Sequence, residues 1–290
     1  MIPQLNITAW SRVAPWPEPR QVEQDLIISR ALVDIFSDEM LRKTLRFRGG
    51  TALNKLHFPA PLRYSEDIDL VRTEHGPIGP ILDQLRQVLQ PWLGIARFEQ
   101  SQMAPKFTFK APAEDNPEIA IKLKLEINTH EVEAYDGAVE LPMAVDNPWF
   151  TGETTIPTFS REEMMATKLR ALLQRRKGRD LFDLSHALEV FDDLDLDKVI
   201  EIFLRYLERH EEQIPRAEAE RRMFAKLAQP AFMQDMRPLL PASALDGHTP
   251  EKNLAAFSAV FRAFIWRVPG ASWQKTAEMA ARFNTPDLVT

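Results

Sequence analysis

The chain has 290 residues, carries a formal net charge of −6 at pH 7 and contains no cysteine. Its length suffices for one large domain or two, and the absence of cysteine excludes disulfides, thiolate metal sites and cysteine nucleophiles. The charge argues against a protein that is basic all over, as many duplex-DNA binders are, but it leaves room for a local basic surface. No apolar run is long enough to span a bilayer and no secretory pattern is visible, so we expect a cytoplasmic protein without a membrane partner.

The first half of the chain mixes predicted helices and strands. Proline and tryptophan are frequent in the first twenty residues, which predicts an extended arm. Apolar residues then recur at helical spacing over residues 21–45, with a second short helix expected after Ser37. The elements predicted next are a strand ending at Arg48, a helix from the Gly49–Gly50 pair to about His57, a strand over 67–71, a helix over 79–93, and strands over 94–100 and 106–111.

The clearest strand pattern covers residues 118–128. Isoleucine or leucine occupies every second position there, which predicts a strand with one buried face. Glu126 falls on the polar face together with Lys122 and Lys124. The predicted buried face consists of Ile119, Ile121, Leu123, Leu125 and Ile127.

The pattern changes to helix near Ser160 and stays helical from there on. Ser160 and Glu163 have the spacing of a capping box in front of an apolar helical run. We therefore predict two domains, one of mixed helix and strand over residues 1–159 and an all-helical one over 160–290. Further helices are predicted near 179–191, 195–212, 215–228 and 250–267.

Two aspartates on one predicted strand are the first candidates for chemistry. Asp67 and Asp69 are two residues apart, so both carboxylates project to the same side of the strand. Two adjacent carboxylates repel each other unless a cation lies between them. Oxygen ligands without histidine or cysteine favour magnesium or manganese over zinc. The alternative is an ordinary strand end with solvated acids.

Two further features favour the metal site. Glu126 would supply a third carboxylate if its strand neighbours that of Asp67 and Asp69. The Gly49–Gly50 pair opens a predicted helix just upstream, where free N–H groups and the helix dipole favour a phosphate and glycine lets the backbone approach it. Phosphate-binding glycines beside metal-binding acids are what nucleotidyl transfer requires.

Three segments in succession resemble motifs of the AbiEii/AbiGii toxin family. They are FRGGTALNKLHFPAPLRYSEDIDLV, LKLEIN and MATKLRALLQRRKGRDLFDL, and the resemblance extends over roughly residues 20–190. Members of that family, which includes the MenT toxins, are nucleotidyltransferases of the DNA polymerase β superfamily. The resemblance implies an α+β fold, with a polymerase-β-type core of mixed sheet and helices followed by an all-helical domain that contributes basic residues to the active-site cleft.

The resemblance also assigns roles to the residues of the first domain. It implies that Asp67 and Asp69 bind metal and that Glu126 lies in the third-strand motif. For Glu126 the alternative is a structural ion pair with Lys122 or Lys124. The residues implied to hold the triphosphate, or to belong to the same segments, are Gly49, Gly50, Thr51, Arg63 and Ser65.

In the helical part the resemblance assigns Lys168 to the nucleotide phosphates and Asp180 and Asp183 to the last active-site motif. The alternative for Asp180 is a cap on the next helix, with Asp183 in its first turn. Half of the residues from Lys168 to Arg179 are basic, which favours a nucleic-acid surface. The alternative for this run is a solvated helix face.

The expected function is transfer of a nucleoside monophosphate from an NTP to an acceptor, with Mg²⁺ or Mn²⁺. The resemblance implies a toxin of a toxin–antitoxin or abortive-infection system, with an antitoxin encoded by a neighbouring gene. The expected acceptor is the 3′ end of tRNA. The alternatives are an enzyme that nucleotidylates a protein hydroxyl and a catalytically silent nucleotide-binding module that acts through a partner.

Overall fold

The computed structural model describes residues 2–100 and 104–289, which divide into two units after Ser160. The first unit contains the described residues up to Ser160 and a later segment, Leu239–Ala242, that the sequence patterns did not single out. Tyr64 donates its backbone N–H to Leu239 O over 2.7 Å within this unit. The second unit contains Arg161–Pro238 and the described residues from Ser243 onward.

A seven-stranded mixed sheet forms the first unit. Its strand order is β3-β4-β5-β2-β1-β7-β6. The central pair β2–β5 and the pair β1–β7 are parallel, whereas the other neighbours are antiparallel. The strands are β1 (Leu45–Arg48), β2 (Asp67–Arg72), β3 (Arg97–Glu99), β4 (Lys106–Pro112), β5 (Ala120–Asn128), β6 (Ala138–Asn147) and β7 (Phe150–Phe159).

Helices cover this sheet. The long helix α2 packs against β5, β6 and β7, and α5 packs against α2, α3 and β4. The short helix α4 continues into a π-helical turn, Leu53–His57. The helices of this unit are α1 (Gln4–Trp10), α2 (Pro19–Ser37), α3 (Glu39–Thr44), α4 (Gly49–Ala52) and α5 (Gly79–Leu93).

The predicted burial pattern of the alternating strand β5 is confirmed except at its N-terminal end. Ile121, Leu123, Leu125 and Ile127 of β5 are buried. The strand begins only at Ala120, so Ile119 precedes it and is 39% exposed, against the prediction that it joins the core. Its N–H donates to Asn116 O, which places Ile119 in the turn before the strand.

The prediction of an extended arm at the start of the chain is wrong, because this segment contains helix α1. Ile7 and Trp10 lie on its buried face. Asp25 of α2 is buried and accepts hydrogen bonds from the indole N–H groups of Trp10 (2.9 Å) and Trp16 (3.1 Å) and from Lys55 Nζ (2.9 Å). The segment is therefore fixed by one buried carboxylate, a long-range contact that composition does not reveal.

The second unit is entirely helical in its described part. The first four of its long helices, α6 to α9, and α12 correspond to predicted runs, whereas α10, α11 and α13 were not predicted. Helix α6 begins directly after Ser160, and Glu163 in its first turn accepts a hydrogen bond from Tyr206 Oη over 2.8 Å. The helices are α6 (Arg161–Gln174), α7 (Gly178–Val190), α8 (Leu196–Arg209), α9 (Arg216–Leu227), α10 (Pro230–Gln234), α11 (Ala242–Leu245), α12 (Pro250–Phe264) and α13 (Thr276–Arg282).

Together the mixed sheet and the helices confirm the predicted α+β class. Within the described residues, none of the helices has the length and apolar composition that crossing a bilayer requires.

The buried carboxylate of Asp25 generates a stability prediction. Asp25→Asn keeps the side-chain shape but leaves Lys55, whose side chain is 12% exposed, without a counter-charge. Breaking a buried ion pair by removing one partner costs about 3–5 kcal/mol of unfolding free energy. Urea denaturation followed by tryptophan fluorescence measures this loss.

The matched control is Asp115→Asn, which breaks the exposed Arg20–Asp115 pair. An exposed pair is screened by solvent, so its removal should cost only a small fraction of the Asp25 effect. The double variant Asp25→Asn/Lys55→Met should be more stable than Asp25→Asn alone, since it removes the orphaned charge. Equal losses for Asp25→Asn and Asp115→Asn would contradict the assigned role of Asp25.

Candidate active site

The turn between β1 and α4 has no room for a side chain. Gly49 adopts a φ of +86°, a backbone conformation that favours glycine. A Cβ atom on Gly49 would overlap the carboxylate of Asp69. Asp69 pairs with Arg48 in the β1–β2 ladder, so the turn and the acid are held side by side by the sheet register.

The second glycine makes room for an arginine. A Cβ atom on Gly50 would overlap the guanidinium of Arg63 and would lie 3.3 Å from Ser65 Oγ. Arg63 is only 2% exposed, and its Nη1 donates to the Tyr64 carbonyl over 3.2 Å. The glycine pair is thus required by two protein side chains, Asp69 and Arg63, before any ligand is considered.

Thr51 and Asn54 fasten the loop that leads into β2. Thr51 Oγ1 donates to Asp67 O (2.6 Å) and lies 2.8 Å from Ser65 Oγ. Asn54 Nδ2 donates to Gly50 O, and its Oδ1 accepts the backbone N–H groups of Leu62 and Arg63. Asn54 was not among the predicted site residues. Its position one helical turn after Gly50 is the only sequence feature that could have indicated this role.

The two strand aspartates occupy one face of β2, as predicted. The parallel register with β5 places Asp69 opposite Glu126 and Asp67 opposite Lys124. Asp67 Oδ1 is buried and receives no hydrogen bond from the described residues, while Lys124 Nζ lies 3.6 Å from it. The Asp67 side chain as a whole is 41% exposed and Lys124 already lies near this oxygen, so a divalent cation bound there would take the place of Lys124 as its counter-charge.

Glu126 is already engaged by a lysine. Lys106 Nζ lies 2.7 Å from Glu126 Oε2 across the β4–β5 pair. The hydrogen bond to Glu126 raises the pKa of Lys106 above its ordinary value. The ion pair expected as the alternative to a metal role therefore exists, but its partner is Lys106 and not Lys122 or Lys124.

The residues present fit a divalent cation at Asp67 and Asp69. Among the described residues, no group of three or more histidines, cysteines or acids is arranged to hold a metal ion. Magnesium is commonly bound by one or two carboxylates together with substrate phosphates. A pair of aspartates on one strand face, one with an oxygen that lacks a donor, meets that description.

In the helical unit, the three predicted site residues form a cluster of ion pairs together with Arg175. Lys168 Nζ lies 2.7 Å from Asp183 Oδ2 and 3.4 Å from Asp180 Oδ1. Arg175 donates two hydrogen bonds to Asp180, of 2.7 and 2.8 Å. Both aspartates are fully buried and Lys168 is nearly so. These four side chains carry two positive and two negative charges, which balance each other.

The contacts of the cluster speak against the cap as the role of Asp180, while a role of Asp180 and Asp183 in the active site stays a prediction. Burial alone would raise the pKa of Asp180, but Lys168 and Arg175 outweigh it, and the pKa is lowered. Asp180 is not the cap of α7, because the residue at the cap position is Lys177 and its side chain makes no capping bond. The N–H of Gly178 is bound instead by the carboxylate of Asp235, at 3.0 and 3.1 Å.

The predicted basic surface is smaller than the run of basic residues. Lys168 and Arg175 are neutralised within the cluster. In the described part of the chain, no ion pair is recorded for the other basic residues around the start of α7. They are Arg176, Lys177 and Arg179, of which the first two are exposed.

The fold is shared with solved nucleotidyltransferase structures. MenT4, a nucleotidyltransferase toxin from Mycobacterium tuberculosis, matches with a TM-score of 0.57 at 14% identity, over 99% of this chain and 99% of its own. A protein from Helicobacter pylori that is described as a nucleotidyltransferase matches with a TM-score of 0.51 at 17% identity, over 85% of this chain and 95% of its own. No curated protein matches this chain in sequence. The nucleotidyltransferase-type α+β fold is thereby confirmed.

The family is defined by sequence. The family model for the nucleotidyl transferase AbiEii toxin of type IV toxin–antitoxin systems matches residues 30–263, most of the chain. The chain therefore belongs to the AbiEii family, and it is a nucleotidyltransferase toxin of a type IV toxin–antitoxin system. This confirms the resemblance read from the three motifs.

The buried cluster generates a prediction about stability and pH. Lys168→Met leaves Asp180 and Asp183 buried with one cation fewer, which should cost about 3–5 kcal/mol of unfolding free energy at pH 7. A lowered folded-state pKa contributes stability above the unfolded-state pKa of about 4 and loses it as the pH falls further. The gap between the wild type and Lys168→Met, measured by urea denaturation, should therefore narrow below about pH 4.

Lys177→Met serves as the control, since Lys177 is exposed and pairs with no acid in the part of the chain that the structure describes. It should unfold like the wild type over the same pH range. If Lys168→Met were as stable as Lys177→Met at pH 7, the cluster would not stabilise the helical unit.

Proposed function

We propose that this toxin transfers a nucleoside monophosphate from an NTP to the 3′ end of tRNA, with Mg²⁺ or Mn²⁺ held by Asp67 and Asp69. The observation that carries the proposal is the pair of aspartates on one face of β2, with Asp67 Oδ1 lacking a donor and Asp69 packed against Gly49. Bound there, the cation would supply charge for the triphosphate and the reacting oxygen.

The residues of this chain would bind and orient the nucleotide. The backbone of Gly49, Gly50 and Thr51 is proposed to hold the triphosphate, because the turn has no side chains that would block its approach. Arg63 and Ser65 are proposed to keep the loop before β2 in place, given their contacts around Gly50. Glu126 is proposed to set the charge on the Asp69 side of the sheet through its pair with Lys106, and not to bind metal.

For the helical residues, a supporting role is proposed. Asp180 and Asp183 hold Lys168 and Arg175, so their loss would affect activity by disturbing the helical unit. That Lys168 contacts nucleotide phosphates, and that residues 160–290 contribute basic groups to the cleft, stays a prediction from the sequence.

RNA is favoured as the acceptor by the exposed cations at the start of α7. Arg176 and Lys177 form no ion pair with any described residue, so their charge is available to phosphates. A protein hydroxyl is the competing acceptor. A catalytically silent module is disfavoured, because the glycine turn and both aspartates are present and adjoin each other.

Membership of a type IV toxin–antitoxin family implies an antitoxin as partner. We propose that a neighbouring gene encodes it. Co-expression with that gene product should relieve growth inhibition caused by the toxin, whereas an unrelated neighbouring gene should not.

Asp67→Asn should reduce NMP transfer by roughly two to four orders of magnitude, because the cation's stabilisation of charge is worth several kcal/mol. Its melting temperature should stay close to that of the wild type, since the Lys124–Asp67 pair that it breaks is 3.6 Å long and about half exposed, and such a pair stabilises little. Labelled NTP, Mg²⁺ and total tRNA, with and without EDTA, provide the assay.

Glu126→Gln is the matched control on the neighbouring strand. It keeps the side-chain shape and should leave transfer within a few-fold of the wild type. Full activity of Asp67→Asn would rule out the proposed metal site. If Glu126→Gln lost as much transfer activity as Asp67→Asn, Glu126 would have to be counted among the metal ligands.

The identity of the acceptor is tested by varying the salt concentration and by replacing the exposed residues Arg176 and Lys177. Labelling of tRNA should fall steeply as NaCl rises, because each neutralised phosphate releases a counterion. Arg176→Ala/Lys177→Ala should weaken tRNA labelling and reduce the salt slope by about 2, while the affinity for NTP stays unchanged. Arg175 is left intact, since it is bound to Asp180.

Lys252→Ala/Lys275→Ala removes two other exposed cations from the same unit and controls for net charge. It should retain the wild-type salt slope. Unchanged tRNA labelling in Arg176→Ala/Lys177→Ala would mean that this surface does not bind the acceptor, and labelling of a protein in place of tRNA would favour the hydroxyl alternative.

A further inference from the structure

A cavity lies at the carboxyl ends of the parallel strands β2 and β5. Its volume is about 470 Å³, within the range of small-molecule sites. Neither the glycine turn nor the aspartate pair lines it. The described residues that line it and matter here are Arg72, His75, Ile78, Phe98, Thr129 and His130.

Arg72 is the unusual member of this lining. It is 6% exposed, and its Nη1 donates to the Gly76 carbonyl over 2.6 Å. Its Nε is buried and has no hydrogen-bond partner in the part of the chain that the structure describes. A guanidinium stays charged at all working pH values, and a buried charge is costly unless it is paired. An anion in the cavity would supply a counter-charge for this guanidinium.

Other groups around the cavity favour the same kind of ligand. His75 and His130 are exposed at the rim, and Thr129 adds a hydroxyl. Helix α5 begins beside the cavity after Ile78, and none of the described side chains caps its N-terminus, where the helix dipole favours negative charge. Phe98 and Ile78 provide an apolar wall.

The strand geometry separates this cavity from the proposed active site. Side chains alternate between the two faces of a strand, so Arg72 projects from the face of β2 opposite to that of Asp67 and Asp69. The inference thus goes beyond the proposed transfer reaction and does not depend on it.

We propose that the Arg72 cavity binds a small phosphate monoester with a planar or apolar body. The planar guanidinium fork matches phosphate oxygens, and a phosphate has enough oxygens to accept from Arg72 and the rim donors together. Phe98 and Ile78 would contact the body of the ligand. The site would let a phosphorylated metabolite bind the toxin apart from its NTP.

Isothermal titration of the full-length protein in EDTA, without NTP, tests the proposal. The probes are phenyl phosphate, inorganic phosphate, benzoate and phenol. Phenyl phosphate should bind best, inorganic phosphate more weakly for lack of a body, and phenol not measurably. If benzoate bound as tightly as phenyl phosphate, the assignment to a phosphate monoester would be overturned. Phenol binding with an affinity comparable to that of phenyl phosphate would overturn it as well.

Variants place the binding in this cavity. Arg72→Gln should weaken phenyl phosphate binding by about ten- to a hundredfold, the effect of losing hydrogen bonds to a charged group. Because Arg72 is buried and its variant risks unfolding, His75→Gln/His130→Gln provides a second test at exposed positions, with a smaller loss expected. Lys110→Gln, an exposed residue of β4, should bind like the wild type.

Asp67→Asn separates the two sites. It should bind phenyl phosphate like the wild type even though it is inactive in transfer. If Asp67→Asn loses this binding, or if both the Arg72 and the histidine variants retain it, the proposed site is wrong. An active Asp67→Asn enzyme would contradict the proposed metal site and leave this inference standing.

Discussion

The absence of two side chains, at Gly49 and Gly50, is the constraint on which the candidate site depends. Because neither residue has a Cβ atom, the Asp69 carboxylate and the Arg63 guanidinium occupy that space. Thr51 and Asn54 then connect the same turn to the loop before β2. Any side chain at either glycine would have to displace a strand aspartate or a buried arginine, so phosphate access alone does not explain the glycine pair.

The acidic residues of the chain differ in how many protein donors their carboxylate oxygens already bind. This difference separates carboxylates with a structural role from those that could still bind a ligand. Asp180 and Asp183 are enclosed with Lys168 and Arg175, and Asp25 is surrounded by indole and ammonium donors. Asp67 keeps an oxygen without a donor. Desolvation makes an unsatisfied buried oxygen costly, so a cation close to Asp67 Oδ1 would be favourable. The contrast is the physical basis for assigning metal binding to β2.

Local patterns predicted more of the fold than of the site. Alternation identified β5, and helical spacing identified α2, α6, α7 and α8, because both depend on neighbours close in sequence. The helix α1 and the Lys106–Glu126 pair escaped prediction, since each is fixed by a residue on another element. Charge composition also overstated the basic surface: a count of lysines and arginines does not show which of them face a buried carboxylate.

The alternation of β2 connects the two proposed sites to a single register. Asp67 and Asp69 project to one face of β2 and Arg72 to the other. The pairing of Asp69 with Arg48 on one side and with Glu126 on the other fixes the face to which each of these side chains projects. A shift of one residue along either neighbour would exchange the faces and bury the aspartates in the apolar core. Leu70 and Ile68 oppose such a shift, because they would move out of that core. Hydrophobic packing on one face of a six-residue strand thereby determines where the cation and the anion of our two proposals would bind.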